Sequence, residues 1–273
     1  MNISTYIVDS FTNEKFKGNP AGVCFLDEPL TDEQMLNIAN ELGFSETAFT
    51  HKVGAVYQIR FFSPSQEIDL CGHATLATAK VLFHKKWESE IICFKNINDV
   101  DLTVKQDKSS DKLLMAFPAY QVKPIEPTNI PTAMLQSLGI SEIVNTGFNK
   151  EINSLVIEID CCEKLASLTP DFEQLLQSVD GIDGVVITAI SNKPDYDFES
   201  RYFWPWVGTN EDPVTGAIHT FLATYWGKKL GKTHLNALQC SARGGSMQIT
   251  LSEQSTVTLK GEAQIMLEGA FYL

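Results

Sequence analysis

Basic runs are missing from this sequence: no Lys or Arg stretch is longer than a pair, and 34 acidic residues against 21 basic ones leave a formal charge of -13. A nucleic-acid binder needs a basic footprint, so that partner is excluded, and the same acidity disfavours an anionic membrane surface. No apolar run approaches the roughly 18 residues of a membrane span. The first ten residues carry neither a basic n-region nor an apolar h-region, so no signal peptide is read. Six cysteines (Cys24, Cys71, Cys93, Cys161, Cys162, Cys240) make no C-x-x-C pair and no disulfide-framework spacing. Reduced thiols and a cytoplasmic location are therefore expected. Lys/Gly phosphate loops, dinucleotide glycine patterns and His-x-x-x-His spacing are also absent, so neither a cofactor nor a metal is expected.

What is present is ordinary globular composition, 44% hydrophobic over 273 residues, enough for one large domain or two smaller ones. Thr31 answered by Gln34 reads as a capping box, followed by Met35, Ile38, Ala39 and Leu42 at helical spacing and a Gly43 stop. Further helices are expected from Gly72 to His84, after Pro170, and from Gly216 to Lys229. Strand-like segments predominate elsewhere, so the class is α+β. The proline-rich stretch between Pro118 and Pro131 is the best candidate for a linker.

An internal echo organises the chain. Arg60-Phe-Phe-Ser-Pro precedes Cys71-Gly-His-Ala-Thr-Leu-Ala-Thr, and Arg201-Tyr-Phe-Trp-Pro precedes Thr215-Gly-Ala-Ile-His-Thr-Phe-Leu-Ala-Thr. Each copy is a strand, a proline turn, a glycine and a helix carrying Leu-Ala-Thr. Two pseudo-symmetric domains follow, and inter-domain clefts favour ligand sites.

A helix N-terminus presents unpaired N–H groups and the positive end of the macrodipole, which suits a carboxylate. Gly72 and Gly216 allow close backbone approach, or simply make tight turns. Beside them stand Asp69, Cys71 and His73 in one copy and Glu211, Asp212 and Thr215 in the other. Cys71 has no obvious activating base in sequence, and a buried free cysteine is commonly a small hydrophobe. Glu46, in Gly43-Phe-Ser-Glu-Thr-Ala-Phe, has apolar neighbours. A carboxyl so placed loses hydration and can take and return a proton near neutral pH. From spacing alone, a surface carboxylate at a strand end is the simpler reading.

The ordered set Gly18-Asn-Pro-Ala-Gly-Val, Ser45-Glu-Thr-Ala-Phe, Arg60-Phe-Phe-Ser-Pro, Asp69-Leu-Cys-Gly-His-Ala-Thr, Glu211-Asp-Pro-Val-Thr-Gly and Ser241-Ala-Arg-Gly-Gly resembles the PhzF-like isomerase family, across nearly the whole chain. The resemblance implies the diaminopimelate-epimerase-like fold: two similar domains, each a sheet wrapped around a central helix, those helices beginning near His73 and Ala217. It implies that Glu46 shuttles a proton between carbons of a small carboxylate, aided by His73 and Asp212, without metal or cofactor. Asn19, Ser45, Gly72, Thr215, Gly216 and Ala217 are implied substrate contacts, and a homodimer is implied. The family pattern usually reads Thr-Gly-Ser-Ala-His, so Ala217 removes a serine hydroxyl aimed at the carboxylate. Trp204 and Trp206 add bulk near the second turn.

Related epimerases use two cysteines, one per helix start. Here only Cys71 remains, facing Thr215, which leaves a one-base epimerase or dehydratase driven by Cys71 as a rival. A non-catalytic binding protein on the same fold is another. The expected domains are residues 1–120, completed by a terminal strand at 264–273, and residues 121–263.

Overall fold

The computed structural model describes residues 1–88 and 90–273. The chain forms two compact units, Met1–Ala116 with Leu259–Leu273, and Phe117–Thr258. The sequence expectation sets these boundaries at 120/121 and 263/264.

In chain order the elements are β1 (Asn2–Ser10), β2 (Asn19–Phe25), α1 (Asp32–Leu42), β3 (Thr47–Val53), β4 (Val56–Phe62), β5 (Glu67–Ile68), α2 (Gly72–His84), β6 (Ile91–Lys95), β7 (Asp101–Gln106) and β8 (Leu113–Pro118). There follow β9 (Lys123–Pro124), α3 (Thr132–Leu138), β10 (Asn145–Asn149), β11 (Ser154–Glu158), α4 (Cys162–Ser167), α5 (Phe172–Gln177), β12 (Gly184–Ile190), β13 (Phe198–Trp204) and β14 (Thr209–Asp212). Then come α6 (Gly216–Leu230), β15 (His234–Gln239), β16 (Gly245–Leu251), β17 (Thr256–Gly261) and β18 (Ala263–Tyr272).

Strand pairing repeats itself in the two units. In the first, β1 is antiparallel to β2, β2 parallel to β3, β3 antiparallel to β4, β4 parallel to β6, and β6 antiparallel to β7. In the second, β10, β11, β12, β13, β15 and β16 follow the same alternation. Each parallel step needs a crossover, and helices supply it: α1 and α2 in one unit, α4 with α5 and α6 in the other.

The helices differ in burial. α1 is amphipathic, its Met35, Ile38 and Ala39 packing with Ile3, Cys24, Leu30, Phe49 and Phe62 while its polar face meets water. Thr31 and Gln34 form the capping box at its start, and Gly43 at φ 68° ends it. α2 and α6 are buried nearly all round, through Ala74, Leu76, Ala77, Val81 and Leu82 in one and Ile218, Phe221, Leu222 and Trp226 in the other. α2 touches β1, β2, β3, β7 and β18, so the sheet wraps around it. Each large apolar side chain so enclosed contributes about 1.5–3 kcal/mol. In the second unit Phe198 of β13 stacks on Trp226 at 5.7 Å, and the indole N–H donates to Thr188 Oγ1 at 3.0 Å.

One sequence expectation needs correction, and two features go beyond the sequence reading. The stretch 118–131 is more than a linker, because Lys123 and Pro124 pair with β10 at Phe148 and Gly147. Strands β10 and β15 went unread: Asn145-Thr-Gly-Phe-Asn and His234-Leu-Asn-Ala-Leu-Gln are rich in turn-prone or polar residues, and their place in the sheet overrides local preference. The Leu-Ala-Thr echo is out of register, since Leu76 lies four residues after Gly72 and Leu222 six after Gly216.

Candidate functional site

The first unit concentrates reactive groups at the start of α2. In the β1–β2 pair, Ser10 sits opposite Asn19, and both grip His73: Ser10 Oγ donates to its carbonyl at 2.8 Å, and Asn19 Nδ2 lies 3.2 Å from its Nδ1. The loop joining them depends on Gly18, at φ 70°, where a Cβ would come within 2.2 Å of the Ser10 carbonyl oxygen. Glu46 stands between the Gly43 stop and the first residue of β3, and its carbonyl accepts from Gly22 N–H at 3.3 Å. A Cβ on Gly22 would meet Thr47 Oγ1 at 2.7 Å, so a glycine there sets the approach of β2 to the Glu46 segment.

These constraints place Glu46 Oε2 3.3 Å from His73 Nε2, with both side chains under 8% exposed. Cys71 Sγ lies 3.4 Å from Nδ1 and 3.9 Å from Nε2 of the same ring. Burial pushes the His73 pKa down, against the pull of the Glu46 carboxylate, so the imidazole is neutral at neutral pH. With the Asn19 amide nitrogen toward Nδ1, that atom accepts and the ring proton sits on Nε2, facing Glu46. The hydroxyls flanking Glu46, on Ser45 and Thr47, are buried and have no hydrogen-bond partner among the described residues. Such groups are rare in folded proteins and call for an explanation. The N-cap residue Cys71 makes no side-chain capping bond, which leaves the N-terminal N–H groups of α2 unclosed by it.

The start of α6 is built of hydrogen bonds instead. Asp212 is buried, and Thr215 Oγ1 donates to its Oδ2. Gln239 closes the turn: its Nε2 donates to the Asp212 carbonyl at 2.7 Å and to Thr215 Oγ1 at 3.2 Å, while its Oε1 accepts from Thr215 N–H at 2.8 Å. Thr215 likewise makes no capping bond to α6.

Behind these differences the two turns share a frame. Arg60 forms a bidentate pair with Glu67 and stacks 5.1 Å over Phe62; Arg201 does the same with Glu211 and lies 4.8 Å over Phe203. Each Glu stands five residues before its glycine. The carbonyl three residues before the glycine is held by a side chain in both: Asn96 Nδ2 to Asp69 O and Ser241 Oγ to Pro213 O, each at 2.8 Å. Finally Thr75 Oγ1 donates to Cys71 O at 2.7 Å, and His219 Nδ1 donates to Thr215 O at 2.6 Å from the matched position.

The structure therefore gathers Asn19, Ser45, Glu46, Gly72 and His73 in the first unit, and Asp212, Thr215 and Gly216 in the second. Ala217 is exposed, and Asp69 is exposed with only its carbonyl engaged. Cys71 does have a base beside it, contrary to the sequence reading, because residues two apart at a helix start can converge. Trp206 is a packing residue of the second unit's core, its indole donating to Val179 O. Metal spacing is absent from the sequence, yet the ligand atoms of Glu46, Cys71 and His73 all lie within 4.8 Å of one another. Gln239, Ser10 and Asn96 were missed; only their places at strand ends or just beyond them, near the motifs, could have signalled them.

A family model described as "Phenazine biosynthesis-like protein" (PhzC-PhzF) matches residues 8–269. The chain is 40% identical over 277 residues to an uncharacterized isomerase of Pseudomonas aeruginosa, covering 100% of both. It is similar to the crystal structure of a phenazine biosynthesis protein of the PhzF family from Enterococcus faecalis, with a TM-score of 0.92, 39% identity and 100% of each chain covered. A hydroxyproline epimerase from Agrobacterium vitis, solved with bound trans-4-hydroxy-L-proline, shares the fold: TM-score 0.62, 13% identity, 100% of this chain and 93% of that one.

Proposed function

The chain belongs to the phenazine biosynthesis-like family and is an isomerase; from that premise we propose that Glu46 carries a proton between two carbons of a small carboxylate substrate, without metal or other cofactor. The observation that supports this most is the buried Glu46 carboxylate 3.3 Å from the His73 imidazole, between two unpartnered hydroxyls. His73 Nε2–H donates to one carboxylate oxygen and leaves the other to reach a C–H bond. That bond breaks, its electron pair spreads into the substrate, and the proton on Glu46 returns to a different carbon. Ser45 and Asn19 offer polar contacts, and the N–H groups at Gly72 suit the substrate carboxylate. Asp212, Thr215, Gly216 and Ala217 enter this reading through the family resemblance. A homodimer completes it on the same ground, and a cytoplasmic location on the cysteine pattern.

The test is a panel of small carboxylates incubated with the protein in heavy water, with deuterium incorporation read by mass spectrometry. Glu46→Gln keeps the shape and removes the base, so isomerisation of any substrate found should collapse. Near-wild-type turnover by Glu46→Gln would sink the assignment.

One observation favours a second reading. The Cys71 thiol beside His73 can serve a one-base epimerisation or dehydration. That chemistry makes Cys71→Ser severe, Glu46→Gln mild, and alkylation inactivating.

A further inference from the structure

Proton transfer by Glu46 with His73 leaves Cys71 without a task, yet its sulfur sits within reach of the same ring. A thiol, an imidazole and a carboxylate are the three donor types that zinc takes from proteins. Bound at about 2.3 Å for sulfur and about 2.0 Å for nitrogen and oxygen, tetrahedral donors stand about 3.3 Å (N to O) and about 3.5 Å (S to N) apart. His73 Nε2 is 3.3 Å from Glu46 Oε2 and 3.9 Å from Cys71 Sγ, and all three ligand atoms fall within 4.8 Å. To share an ion at Nε2, the Cys71 sulfur, now 3.4 Å from Nδ1, must swing to the Nε2 side of the ring by a χ1 rotation.

Charge also fits. A divalent cation against one thiolate and one carboxylate makes a neutral cluster, the form a buried site tolerates best. All three residues are at most 6% exposed. Asn19 beside His73 Nδ1 is placed as the outer-shell partner that metal-bound histidines use. Its amide would turn the oxygen toward Nδ1–H once Nε2 takes the metal. A fourth position stays open, as in sites with three protein ligands.

We propose that Glu46, Cys71 and His73 bind a thiophilic divalent cation, with zinc the fitting ion, in competition with the substrate, so that zinc inhibits the enzyme. Binding releases the thiol proton and the Nε2 proton to solvent, the latter returning on Nδ1. The inhibition rests on the proposed role of Glu46; the binding does not.

Cobalt(II) added to the metal-free full-length protein should give the near-ultraviolet thiolate-to-cobalt charge-transfer band, and zinc should displace it stoichiometrically. Cys71→Ser should abolish the band, whereas Cys161→Ser, which removes a more exposed thiol next to Glu163, should keep it. Asn19→Ala should weaken zinc about 10-fold, as loss of outer-shell partners does. As a check on wild-type protein alone, zinc should protect Cys71 from iodoacetamide in a peptide map. No band in the wild type, a band that survives Cys71→Ser, or unprotected Cys71 would each overturn the site. A band with unimpaired turnover would keep the site and remove Glu46 from catalysis. No band with an inactive Glu46→Gln would do the reverse.

Discussion

At the start of α2, a carboxylate, an imidazole and a thiol converge, the ring held between Asn19 and Glu46. At the start of α6, the matched turn is closed by Thr215 and Gln239, and the matched side chain at residue 217 is a methyl group. The backbone frame is common to both: an Arg–Glu clamp, a side chain holding the carbonyl before the turn, and a side-chain bond back to the N-cap carbonyl. The two turns thus share their scaffold contacts and differ in the side chains they carry, Glu46, Cys71 and His73 at one and Asp212 bonded by Thr215 at the other. The asymmetry suits one base moving one proton better than two bases inverting a centre.

The largest expected effect tests that division directly. Glu46→Gln should lower turnover of an identified substrate by about 10²–10⁴-fold, the usual worth of a positioned acid/base. Asp212→Asn keeps the bond from Thr215 and should cost less, about 10-fold or under on that scale, chiefly in KM. Steady-state kinetics of both variants settle the ranking; equal losses would mean that the two turns share the chemistry.

Next in size are the clamps. Arg201 and Glu211 are 9% and 17% exposed, and the guanidinium also donates to the Leu168 and Leu165 carbonyls at the end of α4. Breaking a buried pair leaves an unmatched charge, so Arg201→Ala should cost about 3–5 kcal/mol. Arg60 and Glu67 are each 25% exposed, where water compensates, and Arg60→Ala should cost about 1 kcal/mol. Urea unfolding of the two variants gives the difference. A cost for Arg60→Ala as large as that for Arg201→Ala would mean the frame is equally loaded in both units.

How much of this was legible beforehand follows the same divide. The echo of Arg-aromatic-Phe and the two glycines exposed the repeat, because the clamp and its stacked ring sit close together in sequence. The role proposed for Glu46 comes only from the family resemblance, since nothing near it in sequence announces His73. The thiol–imidazole–carboxylate cluster was invisible, as Glu46 is brought there by the parallel β2–β3 step and the Gly43 stop, across 25 residues of chain from Cys71. Gln239 was equally hidden, a polar residue at the end of a strand that sequence preference does not read as one.

The matched pair Thr75 and His219 makes the units differ in acid. His219 is fully buried, its Nδ1 proton goes to Thr215 O, and its Nε2 has no hydrogen-bond partner among the described residues, so burial pushes its pKa down to about 4. An unfolded histidine titrates near 6.5, so the unfolded state binds the proton more readily between those values. The associated stability is intact above about pH 6.5 and falls by about 3 kcal/mol as the pH drops toward 4. His73, also lowered, adds in the same direction. His219→Thr copies the other unit: it keeps a donor for the Thr215 carbonyl and should flatten the acid slope of the urea midpoint. A slope unchanged in His219→Thr would place the acid lability elsewhere.

The smallest effects concern helix ends. Thr31 and Asp171 cap α1 and α5 by accepting from Gln34 N–H and Gln174 N–H, whereas Cys71 and Thr215 leave α2 and α6 without a side-chain cap. Thr31→Ala and Asp171→Ala should each cost about 1 kcal/mol, and the two should add because the helices belong to different units. If the uncapped ends are kept open for a carboxylate, a bound carboxylate stabilises the wild type and both cap variants by the same increment, since binding to the folded state alone sets that shift. Thermal melts with and without a substrate identified in the heavy-water screen measure it. A smaller ligand-induced shift in Thr31→Ala would mean that α1, and with it the Glu46 segment that follows Gly43, also answers to the ligand, and that the first unit's open end does not act alone.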